Sequence, residues 1–330
     1  MTTAQAFDRF RQNLVDLNRN KVKKARQSRV YLQDQLVTIS KNHSDFPRIT
    51  GDFMPFGSFA RKTKVRPLDD IDMLVMLDGQ DGHVRQSSWD AYTFLVNVTT
   101  DSSPLRPYFD EYGWVNSTKI LNHFKSGLKG VSNYQESEIK RTGVAVVLNL
   151  KSYEWAFDVV PALPVGDGYG SIFYYLIPNG TGNWMRTDPR IDQEHITEAN
   201  KNQNGYLLPL MRLIKFWNVK SRAAPKLMSY HLETLLINAF RYGSPAIPSS
   251  VRWSVPEAFQ MLASGIMYAC PDPKGLGPNL DSDIAWHTRE KIRDAANMRA
   301  QYATYALQYE QQADHQEAIK WWNYVFPSFE

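Results

Sequence analysis

The chain has 330 residues, of which 43% are hydrophobic and 22% are charged, and its formal net charge is +4 at pH 7. This balance is typical of a globular protein with one large domain or two smaller ones, and it excludes the disordered and coiled-coil classes. The mild positive charge is compatible with polyanions such as nucleoside triphosphates, and we expect no long nucleic acid as a partner.

Cysteine content and hydropathy indicate the cellular compartment in which the protein is expected. Cys270 is the only cysteine, which excludes an intramolecular disulfide and a thiolate metal cage. No apolar run approaches the roughly 20 residues that cross a bilayer, and the polar N-terminus lacks the apolar region of a secretory signal. We therefore expect a cytoplasmic protein without a membrane partner.

The first predicted element is one long helix over residues 3–41, because apolar residues recur there at helical spacing. The middle of this helix is strongly basic, which favours a solvated face over a phosphate- or nucleic-acid-binding one. The basic residues are Arg19, Lys21, Lys23, Lys24, Arg26 and Arg29.

Short strands and helices follow, and a mainly helical region completes the chain. Predicted strands cover residues 52–56, 71–77, 141–153, 155–160 and 172–177, and predicted helices cover 88–98 and 117–128. Further helices are predicted over 193–202, 206–220, 230–242, 255–267 and the long stretch 286–325. The Pro/Gly-rich segment 270–280 predicts a structured loop or lid. The fold class is therefore α+β, with a sheet-bearing domain over residues 1–204 and an α-helical domain over 205–330.

One apolar strand carries two carboxylates. Residues two apart in a strand point to the same side, so Asp70 and Asp72 project together, whereas Asp69 does not join them. Two adjacent carboxylates beside Ile71 and Met73 are costly unless a cation lies between them. Mg²⁺ is the expected cation, because it prefers oxygen ligands and leaves room for substrate phosphates.

A third carboxylate, Asp158, stands in a later apolar strand that is predicted to end at Pro161. If this strand neighbours the first, three carboxylates converge, as two metal ions about 3.5–4 Å apart require for an in-line displacement. Gly57 and Ser58 follow an earlier strand, where glycine permits a close backbone approach and the serine hydroxyl can bind phosphate oxygens. Each feature alone is common in turns and on surfaces, but the ordered combination predicts nucleotidyl transfer.

The same motifs carry a family resemblance. The run GSFARKT, followed by DDID and later by FDVVPA, resembles the cyclic-oligonucleotide synthases of bacterial anti-phage signalling. These cGAS/DncV-like nucleotidyltransferases are relatives of animal cyclic GMP–AMP synthase and oligoadenylate synthase. LMRLIKFWN and KLMSYHLETLL resemble the donor-binding helices of that family, and CPDPKGLGPNL resembles its closing segment. The resemblance spans residues 51–327 and implies a polymerase-β-like core, with a long N-terminal helix, packed on a C-terminal helical domain.

The resemblance implies roles for individual residues of the core. Asp70, Asp72 and Asp158 would bind two Mg²⁺ ions, for which Mn²⁺ can substitute. Asp158 would also orient or deprotonate the attacking ribose hydroxyl. Gly57 and Ser58 would hold the donor triphosphate.

Three residues of the helical half are also implied to bind nucleotide. Lys215 would contact the phosphates, with a surface lysine as the alternative. Ser229 would touch the triphosphate at the start of a helix, with a plain N-cap as the alternative. Tyr230 would stack on the donor base, with a buried core tyrosine as the alternative. His231 is predicted to be a hydrogen-bonded structural residue.

The function implied is a Mg²⁺-dependent condensation of ATP, GTP or pyrimidine nucleoside triphosphates into a cyclic di- or trinucleotide second messenger, with release of pyrophosphate. A linear intermediate would re-enter the site and cyclise. The alternative is a transferase that adds nucleotides to RNA or to a protein side chain. An inactive nucleotide-sensing module is a third hypothesis, which three intact carboxylates disfavour. No motif specifies a regulatory protein partner.

Overall fold

One mixed sheet contains nine strands within residues 1–329, the part of the chain that the computed structural model describes. The strands are β1 (Ile49–Phe56), β2 (Asp70–Leu77), β3 (Gly82–Gln86), β4 (Phe94–Val98), β5 (Glu138–Arg141), β6 (Val146–Asn149), β7 (Ala156–Gly166), β8 (Ile172–Pro178) and β9 (Trp184–Thr187). Their order is β1-β2-β7-β8-β9-β4-β3, and the hairpin β5-β6 joins this path where β6 pairs with β7. β2 and β7 are parallel, whereas the other strand pairs are antiparallel.

The α-helices are concentrated at the two ends of the chain. They are α1 (Thr3–Phe10), α2 (Arg19–Asn42), α3 (Gly57–Ala60), α4 (Ser117–Lys129), α5 (Pro189–Asn202), α6 (Leu207–Lys220), α7 (Ser229–Phe240), α8 (Val255–Gly265), α9 (Trp286–Gln311) and α10 (His315–Val325). This confirms the α+β class, with the sheet in the first half and helices in the second. None of the helices within residues 1–329 is long and apolar enough to cross a membrane.

The chain divides into two compact units that do not follow its sequence order. The sheet unit consists of Arg19–Arg61 and Leu68–Pro189, and the helical unit consists of Met1–Asn18, Lys62–Pro67 and the chain from Arg190 onward. This division differs from the predicted boundary between residues 204 and 205. The reason lies in burial, because Phe7 of α1, Val65 and Ile196 of α5 belong to the hydrophobic core of the helical unit.

Aromatic side chains tie the first helix to the last one within the helical unit. The ring of Phe7 lies 4.7 Å from that of Trp322, edge to face, and 4.7 Å from that of Phe329. The ring of Phe10 packs at 5.1 Å against that of Phe216 in α6. Such pairs add to the hydrophobic gain from burying the rings. The first eighteen residues are therefore part of this core although about 170 residues separate them from α5.

The predicted helix over residues 3–41 is wrong in one respect, because the chain breaks it into two. α1 ends at Phe10 and is followed by a π-helical turn over Arg11–Val15, after which Asp16 has extended backbone dihedrals. The Asp16 carboxylate binds Arg11 at 3.0 Å and Arg212 at 2.7 Å. The break places α1 in the helical unit and α2 in the sheet unit.

Two further predictions of regular elements are wrong for local reasons. Residues 88–98 do not form a helix, because the Asp90 carboxylate accepts a hydrogen bond from the Thr93 hydroxyl at 2.6 Å and closes a turn before β4 begins. The strand predicted over 141–153 is too long, because only β6 within it is a full strand, paired with β7 as predicted, and Thr142 and Ala145 close the turn between β5 and β6.

Other element ends also differ from the predictions. β7 does not end at Pro161 but continues to Gly166, pairing with β2 and then with β8. The stretch 286–325 contains two helices, separated where Ala313 has a φ of 60°. β3 and β9 were not predicted, because both are short and lack a clear alternation of apolar residues. Segment 270–280 is a loop, as predicted.

Candidate active site

Asp70 and Asp72 lie on one face at the beginning of β2. Their side chains are half-buried, whereas those of Ile71 and Met73 between and after them are fully buried. This alternation follows the two-residue period of a strand. The predicted projection of both carboxylates to one side of the sheet is therefore confirmed by the pattern of burial.

Asp158 stands directly beside Asp72 in the neighbouring strand. β2 and β7 are parallel, and the register pairs Asp72 with Asp158 and Asp70 with Ala156. Register partners in adjacent strands are about 4.8 Å apart at the backbone and point to the same face. The condition set by the sequence is thus met, since the strand of Asp158 neighbours that of Asp70 and Asp72.

Beyond the carboxylates, the same sheet face becomes apolar. Its next residues along β2 and β7 are buried together in one hydrophobic cluster. These residues are Leu74, Met76, Val160 and Ala162. Three like charges next to such a cluster repel one another and raise the free energy of the fold unless cations compensate them. The strand ends therefore form a place where positive charge is favoured.

The donor chemistry of this site fits Mg²⁺. Carboxylate oxygens are the hard ligands that Mg²⁺ prefers, and one or two of them commonly hold the ion together with water and substrate phosphates. Within residues 1–329, no three or more His, Cys, Asp or Glu side chains are gathered around a single metal position. Mg²⁺ held by one or two carboxylates keeps coordination positions for substrate phosphates.

Gly57 lies against the carboxylate of Asp72. It begins α3 directly after β1 and has a φ of 72°, a value that glycine adopts without strain. A Cβ atom at this position would lie 1.7 Å from Oδ2 of Asp72, so no other residue fits without displacing the carboxylate. Ser58 follows in the same helical turn and is half-buried. The structure thus brings the predicted phosphate-binding turn together with the predicted metal ligands.

Lys215 is buried within the helical unit. Its side chain is only 3% exposed, and its ammonium group pairs with the carboxylate of Glu233, which is 2% exposed. The hydroxyl of Thr63 donates a hydrogen bond to the same carboxylate at 2.9 Å. The alternative of a surface lysine is therefore wrong. A phosphate contact by Lys215 stays a prediction.

Ser229 and Tyr230 open α7 in the helical unit. Ser229 is the first helical residue, and Met228 holds the N-cap position without a side-chain hydrogen bond, so the alternative of a serine N-cap is wrong. Tyr230 is half-buried rather than part of the apolar core. Its hydroxyl donates to Asp192 at 2.6 Å and accepts from the ammonium group of Lys274 at 2.6 Å.

Asp272 stabilises the loop that carries Lys274, the residue that donates a hydrogen bond to Tyr230. Its carboxylate accepts hydrogen bonds from the backbone N–H groups of Leu276 at 3.1 Å and Gly277 at 3.0 Å, and it pairs with Lys274 at 3.1 Å. Sequence analysis missed this polar cluster. The Asp and Lys of the PDPKG run were a possible signal, but their partner Tyr230 is 44 residues away along the chain.

His231 and Cys270 are both buried in the helical unit. The prediction of a hydrogen-bonded histidine is wrong, because neither ring nitrogen of His231 has a partner within residues 1–329. Removal from water lowers the pKa of His231 below its ordinary value. Cys270 is 2% exposed, and burial raises the pKa of its thiol to about 11. Neither residue carries a group poised for catalysis at neutral pH.

Comparisons with known proteins agree with these motifs. A family model described as the Second Messenger Oligonucleotide or Dinucleotide Synthetase domain matches residues 1–101. The chain is 34% identical to a probable cyclic nucleotide synthase of Bacillus cereus (strain VD146), over 98% of this chain and 96% of that protein. It is 25% identical to the cyclic AMP-AMP-AMP synthase of an Acinetobacter species (strain ATCC 27244 / 9458), over 86% of this chain and 74% of that protein.

The fold is also shared with a solved enzyme structure. Vibrio cholerae DncV, a cyclic AMP-GMP synthase and prokaryotic cGAS homologue, matches with a TM-score of 0.71 at 13% identity, covering 99% of this chain and 96% of that chain. A second crystal structure of DncV is a complex with the linear intermediate 5′ pppA(3′,5′)pG. With the sequence identity to the Bacillus protein and the geometry of Gly57, Asp70, Asp72 and Asp158, these findings show that the chain belongs to the bacterial cyclic-oligonucleotide synthases, the cGAS/DncV-like nucleotidyltransferases.

Proposed function

We propose that this protein condenses nucleoside triphosphates into a cyclic di- or trinucleotide and releases pyrophosphate at each bond. The observation that carries the proposal is the register of β2 and β7, which places Asp72 beside Asp158. Gly57 lies against the carboxylate of the same Asp72. Membership of the synthase family supports it. The proposed setting is the cytoplasm, where nucleoside triphosphates are available, and the proposed role is anti-phage signalling.

Asp70, Asp72 and Asp158 would hold two Mg²⁺ ions, for which Mn²⁺ can substitute. When bound, Mg²⁺ supplies positive charge that compensates the carboxylates and the charge developing on the leaving pyrophosphate. The register of Asp72 and Asp158 and the oxygen donor set support this assignment.

The remaining chemistry requires positioning by the residues of the chain. A carboxylate oxygen of Asp158 would accept the hydrogen bond of the attacking ribose hydroxyl and favour loss of its proton. The ribose oxygen then forms a bond to the α-phosphorus of the donor while the bond to the bridging oxygen breaks and pyrophosphate leaves. Ser58 and the backbone of Gly57 would hold the triphosphate. We propose that Ser229 also contacts the triphosphate and that Tyr230 stacks on the donor base.

Further rounds of the same step would close the ring, two bonds in all for a cyclic dinucleotide and three for a cyclic trinucleotide. The first bond yields a linear nucleotide that keeps one triphosphate, which can act as the donor when its own terminal ribose attacks. The DncV complex with a linear intermediate supports such a sequence in a protein of the same fold. ATP, GTP and pyrimidine nucleoside triphosphates are the proposed substrates.

The proposal is tested by product analysis. Purified protein is incubated with Mg²⁺ and the four ribonucleoside triphosphates, treated with phosphatase and analysed by mass spectrometry, with Asp72→Ala and Asp69→Ala in parallel. Asp69 is exposed and precedes β2, so its variant is the matched control. A phosphatase-resistant cyclic product from wild type and Asp69→Ala alone is expected.

Two other outcomes would contradict the proposal. Extension of added RNA or labelling of an added protein, without a cyclic product, would assign the transferase function instead. Equal product from Asp72→Ala would show that the carboxylates do not carry the reaction. Replacing Mg²⁺ by Mn²⁺ is expected to retain activity, and EDTA is expected to abolish it.

A further inference from the structure

The hairpin β5-β6 extends the sheet face of the carboxylates on one side. β6 pairs with residues 156–159 of β7, the stretch that contains Asp158, whereas β8 pairs with the same edge of β7 only from Leu163 onward. Around the carboxylates, the order of strands within the sheet unit is therefore β1-β2-β7-β6-β5. Asp158 thus lies in the middle strand of these five, with β1 at one end and β5 at the other.

Lys140 of β5 lies on the same sheet face as Asp158. Val147 of β6 is the register partner of Asp158, and Lys140 is the register partner of Val147. Register partners point to the same face, and two strand spacings separate the backbones of Lys140 and Asp158 by about 10 Å. Ile139 and Leu148, which alternate with these residues, are buried on the opposite face. The side chain of Lys140 is 63% exposed and available to a ligand on this face.

Two neighbours hold the ammonium group of Lys140 in place. It pairs with the carboxylate of Glu138 at 2.6 Å, and the side-chain amide of Asn149 donates to the same carboxylate at 2.9 Å. Glu138 is the register partner of Asn149, and Asn149 is that of Ala156 in β7, so both side chains share the face of Asp158. Because the pair of Lys140 and Glu138 is exposed, it contributes little to the stability of the fold. Replacing Glu138 by an anionic ligand therefore costs little.

In-line displacement determines the side from which the attacking nucleotide approaches. In the proposed reaction, pyrophosphate leaves toward Gly57 and Ser58, which follow β1 directly. The attacking and leaving oxygens lie on opposite sides of the transferred phosphorus. The attacking ribose at Asp158 therefore extends away from β1, over β6 and β5. The row of residues from Asp158 to Lys140 lies on that side.

We propose that Lys140 binds the triphosphate of the attacking nucleotide, an inference that rests on the proposed function. This nucleotide reacts through its ribose and keeps its own triphosphate, whose negative charge an ammonium group on the acceptor side compensates. Glu138 and Asn149 are positioning residues, since they hold the ammonium group on this face before the triphosphate binds. The same triphosphate must later become the donor for ring closure, and an exposed contact releases it readily.

Two kinds of analogue separate the attacking nucleotide from the donor. A 2′,3′-dideoxynucleoside triphosphate lacks the ribose hydroxyls and serves only as donor. An α,β-methylene nucleoside triphosphate cannot release pyrophosphate and serves only as the attacking nucleotide. Formation of the linear dinucleotide from the two is measured for each base. A nucleoside monophosphate in the attacking position gives the same reaction without a triphosphate on that side.

Lys140→Gln is expected to raise the KM of the methylene triphosphate about tenfold, because a charge-assisted contact to phosphate is lost. The KM of the monophosphate, the KM of the dideoxy donor and kcat are expected to change less than about twofold. Arg141→Gln is the matched control, because it removes one positive charge from the same strand on the opposite face, where Arg141 is exposed. It should leave every KM unchanged.

A second variant is expected to have the opposite effect. Glu138→Gln removes the carboxylate that competes with the triphosphate for Lys140 and should lower the KM of the methylene triphosphate about two- to fivefold. An equal rise for methylene triphosphate and monophosphate in Lys140→Gln would show that this residue does not bind the triphosphate. That result, or a wild-type KM in Lys140→Gln, would overturn the proposal.

A binding measurement gives a readout that does not depend on turnover. The Kd of the methylene triphosphate is measured with a dideoxy donor that also carries an α,β-methylene bridge, so that no reaction occurs. Lys140→Gln should raise this Kd about tenfold, and Arg141→Gln should not. If wild type forms no linear dinucleotide from the reactive pair, the proposed function fails. In that case a raised Kd still supports a triphosphate site at Lys140, whereas an unchanged Kd or the absence of binding overturns it.

Discussion

The two units of this protein differ in the signs of the charged side chains that they bring together. In the helical unit, buried charges of opposite sign meet in pairs, as Lys215 does with Glu233. Further pairs of this unit join Arg252 to Glu310 at 2.7 Å and Arg289 to Asp281 at 2.7 Å. In the sheet unit, three carboxylates of the proposed site, those of Asp70, Asp72 and Asp158, are gathered on one face.

This difference separates residues that stabilise the fold from residues that serve the reaction. A buried pair is costly to break, because the remaining partner stays in a poorly solvated place. Like charges that are gathered on one face repel one another, and bound cations compensate that repulsion. Substitutions in the two units are therefore expected to have opposite consequences for stability and for activity.

The largest expected effect comes from a carboxylate of the sheet unit. Asp158→Asn should lower the rate of product formation at least about 1,000-fold, because Asp158 is the proposed metal ligand and the proposed acceptor of the ribose proton. Its Tm should equal or exceed the wild-type value, since like-charge repulsion is reduced. Turnover and thermal unfolding are measured side by side. A clear fall in Tm would contradict the comparison.

The next effect is a loss of stability in the helical unit. Lys215→Met alone leaves the Glu233 carboxylate buried without its cation and should lower the free energy of unfolding by about 3–5 kcal/mol. Lys21→Met is the control, because it breaks the exposed pair with Glu154 at 2.6 Å and should cost less than about 1 kcal/mol. Urea denaturation measures both. Equal losses would show that burial of the pair is irrelevant.

A smaller effect is expected when the turn next to Asp72 is crowded. Gly57→Ala places a Cβ atom 1.7 Å from the Asp72 carboxylate and should lower turnover by about 100-fold through displacement of that ligand. Gly51→Ala is the control, because Gly51 also has a positive φ, of 91°, but has no atom within 4 Å of an added Cβ. The ratio of the two rates isolates the clash from backbone strain. Similar rates would exclude the close approach.

The smallest effect concerns His231 of the helical unit, a buried titratable side chain whose ring nitrogens have no hydrogen-bond partner within residues 1–329. Because burial lowers the pKa of folded His231 below 6.5, the unfolded chain binds the proton first on acidification. The free energy of unfolding should therefore fall below about pH 6.5, by up to about 1.4 kcal/mol per pH unit. The neighbouring Asp281 opposes this shift in pKa, and Arg289 reinforces it.

The variant His231→Leu should remove that part of the pH dependence, whereas His287→Gln should not, since His287 is exposed. Denaturation midpoints at pH 5.5 and pH 7.5 measure the difference. An unchanged slope in His231→Leu would assign the acid sensitivity to other groups of the unit.

Local rules were sufficient to predict the carboxylate site. The two-residue period of a strand placed Asp70 and Asp72 on one face, and the apolar run around Asp158 indicated a buried strand, whose pairing with β2 the sequence left open. Burial patterns of this kind can be recognised within a single strand, because they depend only on neighbouring residues in the sequence. For the same reason the helical character of the second half was predictable, because each helix buries its own periodic stripe.

Pairs between distant residues were beyond such rules. The break after α1 depends on Asp16 meeting Arg212, and the burial of Lys215 depends on Glu233 and on Thr63, 170 residues before Glu233. The periodicity of apolar residues within one helix or strand does not predict which cationic side chain pairs with which carboxylate. The alternation of the chain between units at residues 61 and 67 was unpredictable for the same reason.

The packing of α1 with α10 has a consequence for synthesis on the ribosome. Phe7 and Phe10 are translated roughly 300 residues before their partners Trp322 and Phe329, so the nascent chain carries these aromatic side chains unburied until the partners have also been translated. The sheet unit is fully translated much earlier. Thr63 belongs to the helical unit and meets Lys215 and Glu233 only when α6 and α7 have also been translated. The helical unit therefore completes its core later in synthesis than the sheet unit.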